Sequence, residues 1–177
     1  PDFFKEQRAL LLNDITYSYQ KARNGSYKDI VPNHYPLGFA MLNYGRNHFG
    51  VEMWPKVLVD FASYKKVVWP FSRALKENTD LSTSKMYQLA YKELQEQWKE
   101  ELKNIPSTTS VAIKPKKKKT VTNYIFPNYI SDGSIICVRN SYKETAYLIQ
   151  IKEGVETKLC PIGITTENYL NVNGNKA

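Results

Sequence analysis

A chain of 177 residues with 42% hydrophobic and 24% charged residues is long enough for one ordinary domain or two small ones, and this composition excludes a disordered polymer. Its longest apolar runs, "ALLL" and "VVWPF", are far shorter than the roughly 20 residues of a membrane-spanning helix, which predicts a soluble chain. The net charge of +8 would indicate an acidic partner such as nucleic acid if it were spread over a folded face.

The positive charge is instead concentrated in one segment. More than half of the excess lies in the run "KPKKKK", from Lys114 to Lys119, which "PSTTS" and "TVTN" flank. This composition is typical of a solvated connector, so residues 106–123 are predicted to be a linker. The alternative is binding of nucleic acid or an anionic surface through the lysines, but they lack interleaved aromatic residues on which bases could stack. We therefore expect no nucleic-acid partner.

Residues 1–105 have helical periodicity. The chain opens with Pro1 and Asp2, without an initiator methionine or a secretion signal, which indicates a mature product or an excised segment. Asp2 is placed to cap a first helix in "DFFKEQRALLLNDI". Further along, Pro55 suits the first turn of a helix in "WPKVLVDFASY", and Pro70 begins a short helix in "PFSRALKEN". We predict a helical array.

The last helix of this array is predicted from a long periodic segment that starts near Ser82 or Ser84 and ends at Pro106. Two apolar stripes are expected to face the core of the array. They are Trp54, Val57, Leu58 and Phe61 in the "WPKVLVDFASY" helix, and Met86, Leu89, Ala90, Leu94, Trp98, Leu102 and Ile105 in the last helix.

The stretch "NHYPLGFAMLNYGRNHFGVEMW", residues 33–54, holds both histidines of the chain, His34 and His48, and Glu52 follows them. Asn33 can cap a helix here, and fourteen residues along a helix separate the two histidines by about 21 Å, too far to share one metal ion. A zinc site also needs three or four ligands, usually from a compact motif such as H-E-x-x-H, which does not occur in the sequence. We therefore predict no metal ligand and no cofactor for this chain.

Two glycines of the same helix, Gly38 and Gly45, lie seven residues apart. Each costs about 1 kcal/mol relative to alanine in a helix interior, which favours close approach of another backbone at that face. Simple local flexibility is the alternative interpretation.

After the linker the hydrophobic period changes to two. The runs "SIICVRN", "AYLIQIK" and "TKLC" are typical of strands, and "SDG" and "KEGVE" are typical of turns, so residues 124–177 are predicted to form an antiparallel meander. The motif "NYISDG" from Asn128 returns as "NYLNVNG" from Asn168, 40 residues later. That is the repeat length of a β-propeller blade, which predicts one blade and the start of a second.

Two cysteines, Cys137 and Cys160, are too few for a disulfide framework. One bridge between neighbouring strands remains an alternative, but we expect free buried thiols. A single blade has faces that neighbouring blades would normally cover, and "SIICV" and "AYLIQI" are apolar and prone to form strands. We expect these open strands to pair with another chain and cause self-association, unless the helical array folds over the sheet.

A family resemblance is carried by "HYPLGFAMLNYGRNHFGVEMWPKVL" together with "TDLSTSKMYQLAYKELQEQWKEEL", which resemble the C-terminal helical part of the peptidase-MA-like gluzincins, zinc metallopeptidase-type domains of bacteria. The segment "FPNYISDGSIICV" resembles the opening of a TolB-like propeller blade. The two in this order resemble a fused architecture of secreted or envelope-associated proteins, notably of Bacteroidetes. The resemblance covers nearly the whole chain except the linker.

The resemblance implies a zinc-dependent peptidase as the parent protein, with a periplasmic, secreted or envelope location. The family's zinc ligands lie N-terminal to the matched helices, so none can be assigned here, and the chain alone is expected to be inactive. Tyr35 and His34 are the candidates for donating a hydrogen bond to a developing oxyanion. The implied partners are the missing N-terminal half, the remaining blades, and a protein or peptide ligand. The alternative function is a non-catalytic scaffold that binds protein or glycan.

Overall fold

The computed structural model of the chain describes residues 3–63, 68–106, 109, 113, 119–163 and 170. Helices come first and a separate antiparallel sheet follows, which confirms the predicted fold class. The chain divides into two compact units, residues 1–26 with 31–107 and residues 27–30 with 108–177. We call them the helical unit and the sheet unit. The predicted cap Asp2 and most of the lysine run lie outside the described residues.

The described part of the helical unit contains six helices. They are α1 (Lys5–Leu12), α2 (Tyr19–Asn24), α3 (His34–Phe49), α4 (Met53–Ala62), α5 (Pro70–Thr79) and α6 (Thr83–Lys103).

Local sequence explains where three of these helices begin. The side chains of Asn33 and Ser82 accept hydrogen bonds from the backbone N–H groups of Tyr35 and Lys85, at 3.0 and 3.2 Å, so they cap α3 and α6 as predicted. Pro70 is the first residue of α5, where its missing N–H would have no helical partner in any case. Helix α6 ends at Lys103, slightly earlier than the predicted stop at Pro106.

The core of the helical unit lies where α2 to α6 meet. Its fully buried members include Val57, Leu75 and Met86, each 0% exposed. The predicted apolar stripes extend beyond this core, because Leu58 is 53% and Leu102 is 48% exposed. The buried cluster is formed by Ala22, Leu37, Met41, Met53, Val57, Ala74, Leu75, Met86 and Tyr87.

The two glycines of α3 have different surroundings. A Cβ atom on Gly45 would collide with the Met53 side chain and lie 2.9 Å from the Trp54 ring. The close approach predicted there is therefore made by side chains of α4 and not by its backbone. A Cβ atom on Gly38 would meet nothing within 4 Å, so the expected close approach at Gly38 is wrong.

The sheet unit contains four antiparallel strands in the order β1-β2-β3-β4, so each strand pairs with the next one along the chain. They are β1 (Thr122–Tyr129), β2 (Ile135–Ser141), β3 (Glu144–Lys152) and β4 (Val155–Pro161).

Strand β1 starts at Thr122, inside the segment predicted to be linker. Its pairing with β2 shifts register between Ile125 and Asn128. Pro127 lies at this shift and has no N–H to donate, and Phe126 has a positive φ of 55°. The local sequence "FPN" therefore produces a bulge in an edge strand, where an interrupted ladder is tolerated.

The turn between β3 and β4 was predicted from "KEGVE". Glu153 and Gly154 both have positive φ, 49° and 78°, as a two-residue type I′ turn requires. Lys152 and Val155 pair directly across it. The turn before β2 is closed by Asp132, whose carboxylate accepts from the backbone N–H and the hydroxyl of Ser134 at 2.9 and 2.6 Å.

Strand β2 is buried on both of its faces. Ile135 and Cys137 lie on one face with Ile149 and Ile151 of β3, while Ile136 and Val138 lie on the other face at 5% and 3% exposure. The expectation that the faces of "SIICV" are open is therefore wrong.

Both cysteines are free. Cys137 is 1% exposed and pairs with Ile149 of β3. Cys160 is exposed and pairs with Leu148, the residue that precedes Ile149 on β3. Successive strand residues point to opposite faces, so the two thiols lie on opposite faces of the sheet. The expectation of two buried thiols holds for Cys137 and is wrong for Cys160.

Candidate functional site

The first turn of α3 holds the two residues predicted to stabilise an oxyanion. His34 and Tyr35 follow the Asn33 cap, and their rings stack with centroids 4.7 Å apart and planes 25° from parallel. Gln7 of α1 donates a hydrogen bond to the Asn33 carbonyl at 3.1 Å, which anchors the cap. Tyr35 is 69% exposed, so its phenol is available to a ligand or to a further part of the protein.

The second histidine, His48, lies in the last turn of α3. Its Nε2 atom is 2.7 Å from Glu93 Oε2 of α6, and its ring stacks on Tyr44 at 4.2 Å. Burial, together with the Glu93 carboxylate, raises the pKa of Tyr44. Both members of the His48–Glu93 pair are about half exposed, so this contact stabilises the protein weakly.

The geometry of α3 separates the histidines. The helix runs unbroken from His34 to Phe49, so the two rings are about 21 Å apart along its axis. Glu52 lies beyond the end of α3, at the cap of α4. Among the described residues, no group of three or more His, Cys, Asp or Glu side chains is arranged to hold a metal ion.

One face of α3 exposes an apolar stripe. Tyr35, Phe39, Leu42 and Phe49 recur at helical spacing and are 69%, 46%, 49% and 38% exposed. We call these four residues the α3 stripe. Phe39 also contacts the ring of Phe3, which is 54% exposed, with centroids 5.6 Å apart. Exposed Arg46 lies at helical spacing between Leu42 and Phe49, so the stripe is a mostly apolar surface, interrupted by one charge, of the kind that marks an interface.

A tyrosine-lined cleft lies where the segment between α1 and α2 meets α6. Tyr17, Tyr87 and Tyr91 line a cavity of about 190 Å³, and Gln88 and Gln95 add amide groups. The Tyr87 hydroxyl donates to the Tyr17 carbonyl at 3.2 Å. Burial raises the pKa of Tyr87 to about 12 and raises the pKa of Tyr91 as well, so both phenols stay protonated at neutral pH.

The sheet unit contains a charged network beside its apolar cluster. Arg139 is 7% exposed and bonds to Glu144 and to Glu156, the latter at 3.0 Å. The Tyr124 hydroxyl donates to Glu156 at 2.5 Å, and Lys158 reaches Glu144 at 2.6 Å. Burial, with the hydrogen bond to Glu156, raises the pKa of Tyr124.

Sequence reasoning did not identify the residues that contact each other in the His48–Glu93 pair, in the tyrosine-lined cleft or in the Arg139 network. His48 and Glu93 are 45 residues apart, and Tyr17 and Tyr87 are 70 apart, so no local pattern joins them. The sequence did contain a signal for Arg139, because a charged residue that directly follows the four apolar residues of "IICVRN" needs a partner when the strand is buried.

Comparisons of the chain with models of protein families, with curated proteins and with solved structures each find no match. Within the described residues, no helix combines the length and the apolar character that crossing a membrane requires.

Proposed function

We propose that the helical unit is the supporting, C-terminal part of a gluzincin-type zinc metallopeptidase domain and that the sheet unit is the first blade of a TolB-like propeller. The parent would be a bacterial secreted or envelope protein. The resemblance implies that the zinc ligands lie N-terminal to the matched helices, so under this proposal the metal would be held by residues that precede this chain. The chain by itself is inactive under this proposal.

The observation that carries the proposal is the α3 stripe. Its four apolar residues expose between 38% and 69% of their surface, while Leu37 and Met41 on the opposite face of α3 are buried in the core. An amphipathic helix buries one face; a helix that presents apolar residues on a second face packs against something more. A metal-binding half packed on this stripe would complete the domain.

Tyr35 and His34 have a role in this arrangement. They lie at one end of α3, and Tyr35 belongs to the stripe. A partner packed on the stripe would therefore place the exposed phenol at the edge of the interface. From that position Tyr35 can donate a hydrogen bond to a substrate carbonyl oxygen, and the stacked ring of His34 orients the phenol.

The propeller part of the proposal is supported by strand order and by the sequence repeat. A four-stranded antiparallel meander is the unit from which propeller blades are built. Leu170 belongs to the second copy of the repeat, and its carbonyl accepts a hydrogen bond from the Asn128 side chain in the first copy at 3.5 Å. A hydrogen bond between the two copies at Asn128 and Leu170 is the kind of contact that neighbouring inner strands of two blades would make.

The tyrosine-lined cleft favours a second candidate function, a non-catalytic scaffold that binds a protein or glycan. Tyrosine rings and glutamine amides that line one cleft suit a ligand with both apolar and hydroxyl groups. An intact coding sequence separates the two candidates, because the peptidase requires an H-E-x-x-H motif upstream and the scaffold does not.

The experiment is expression of the parent chain with its upstream residues, followed by elemental analysis and a peptidase assay. One zinc per chain and peptide cleavage are expected, together with no zinc and no cleavage for the 177-residue chain. Phe39→Ser should lower the zinc-loaded soluble fraction of the parent severalfold, whereas Leu58→Ser, at a position on α4 that is 53% exposed against 46% for Phe39 and lies outside the stripe, should not. A parent without the motif overturns the peptidase proposal.

Self-association tests the part of the proposal that concerns the sheet unit. Strand β4 is an edge, and Val155 and Leu159 on it are 65% and 48% exposed, so we expect pairing of β4 with a second copy. Sedimentation at several concentrations should show dimers that Leu159→Lys weakens. A monomer at all concentrations would contradict the expectation, and association that survives deletion of residues 124–177 would place the contact on the helices.

A further inference from the structure

A cavity in the helical unit lies beside the starts of α5 and α6. Its volume is about 320 Å³, and α2 and the end of α4 close its other sides. Its lining combines Arg23 and Thr83 with the aromatic residues Trp69 and Phe71. No acidic side chain is among its described lining residues, so the charge that lines the cavity is positive and comes from Arg23.

Two helix starts supply part of this positive character. Pro70 has no N–H, and no side chain caps α5, so the backbone N–H groups of Phe71 and Ser72 are donors at its first turn. In α6, Ser82 accepts only from Lys85, at 3.2 Å, which leaves the N–H of Thr83. The positive ends of the dipoles of a ten-residue and a 21-residue helix therefore border the same cavity.

Two side chains point independently to a bound anion. Thr83 is 8% exposed, lines the cavity, and has no hydrogen-bond partner for its hydroxyl among the described residues. Arg23 also lines the cavity and forms no ion pair within the described part of the chain. The cavity therefore presents the hydroxyl of a nearly buried threonine and an exposed guanidinium without a carboxylate, two groups that donate hydrogen bonds to an anion.

An aromatic wall completes the cavity. Trp69 is 71% exposed and has a positive φ of 52°, a strained conformation that occurs often at functional sites. Phe71 beside it is held by Trp54, 6.4 Å away and nearly parallel, and by Phe61, 6.0 Å away and edge-on. The indole of Trp69 thus offers a free apolar face next to the cationic part of the cavity.

We propose that this cavity binds an organic carboxylate that carries an aromatic ring, with the carboxylate at Arg23, Thr83 and the helix starts and the ring against Trp69. The same chemistry occurs in a free arylalkanoic acid and in the C-terminal aromatic residue of a peptide. The inference does not depend on the proposed peptidase relationship, because every residue it uses lies in the helical unit as described.

The test is calorimetric titration of the 177-residue chain with phenylacetate and with the tripeptide Gly-Gly-Phe. Saturable 1:1 binding of at least one is expected, and the tighter of the two identifies the source of the carboxylate. The neutral phenylacetamide should bind about tenfold more weakly than phenylacetate, since charge-assisted hydrogen bonds are lost. Acetate, which has no ring, should also bind more weakly.

Three variants locate the site. Arg23→Gln should weaken phenylacetate binding about tenfold, and Arg73→Gln, the same change on an exposed arginine of α5 outside the lining, should leave it unchanged. Trp69→Ala should weaken phenylacetate about fivefold while acetate is unaffected. Absence of saturable binding, equal binding of the acid and its amide, or equal effects of the two arginine variants would each overturn the proposal.

Discussion

In the helical unit the buried cluster around Leu75 and Met86 is apolar, whereas in the sheet unit Arg139 is buried beside the apolar cluster of Ile149 and bonds to two glutamates. Packing holds the first unit, and its aromatic residues add contacts at the rim. The second unit combines packing with paired charges. The two units should therefore respond differently to cavities, to charge removal and to acid.

Removal of core volume should have the largest effect. Leu75 is 0% exposed, so Leu75→Ala should lower the free energy of unfolding of the helical unit by about 4 kcal/mol, because a cavity is added to the lost transfer energy. Denaturant unfolding followed by circular dichroism at 222 nm measures the change. Leu58→Ala, at a 53% exposed position, is the control and should cost less than about 1 kcal/mol. Equal losses in the two variants would contradict the assigned core.

Removal of the buried arginine should destabilise the sheet unit by a comparable but smaller amount. Arg139→Met removes the buried guanidinium that pairs with Glu156, which is 11% exposed, and we expect a loss of about 3 kcal/mol even though Tyr124 still donates to that carboxylate. Hydrogen exchange of residues 135–151 reports it. Lys152→Met removes an exposed pair with Asp132 and should cost less than about 1 kcal/mol. Replacing Arg139 and Glu156 together by Met and Leu should recover most of the loss.

The two glycines of α3 provide a matched pair in the helical unit. Gly45→Ala should cost about 1–3 kcal/mol, because the added Cβ meets Met53 and Trp54. Gly38→Ala meets nothing and should stabilise the helix by about 0.5–1 kcal/mol. Thermal unfolding of the two variants gives opposite shifts, and shifts of the same sign would contradict the packing of α4 on α3.

Acid should reveal the smallest difference between the units. Hydrogen bonds from the Ser134 hydroxyl and backbone N–H, and then from Lys152, lower the pKa of Asp132 to about 2. The folded pKa is below the unfolded value of 3.8, so this stabilisation is present above about pH 4 and is lost as pH falls toward 2. Asp132→Asn should flatten the pH dependence of sheet unfolding in that window. As a control, Asp132→Asn should leave the pH dependence of unfolding of the helical unit unchanged.

Local patterns predicted most elements of both units, but helix α2 (Tyr19–Asn24) was not predicted. The caps at Asn33 and Ser82, the start of α5 at Pro70 and the turn at Gly154 each follow from the preference of one residue for one backbone geometry. Patterns of this kind extend over a few residues, which is why they locate the ends of helices and strands.

Contacts between distant residues were not predictable in the same way. The partner of Gly45 is side-chain volume on α4, and the partners of Arg139 lie on two strands, so neither follows from a local period. How far the apolar stripe of α6 is buried also depends on which other helices pack against it. Leu102 belongs to the predicted stripe but is 48% exposed. The cavity that Arg23 and Thr83 line is formed by four helices whose sequences carry no shared motif.

The central proposal is that another part of the parent protein packs on the α3 stripe, and hydroxyl-radical footprinting tests this directly. Oxidation rates of Tyr35, Phe39 and Phe49 should be severalfold lower in the intact parent than in the 177-residue chain. Tyr142 of the sheet unit is 69% exposed, as is Tyr35, and serves as the internal reference. Protection of the stripe relative to Tyr142 is the predicted result. Equal oxidation of the stripe in the two proteins would contradict the proposal.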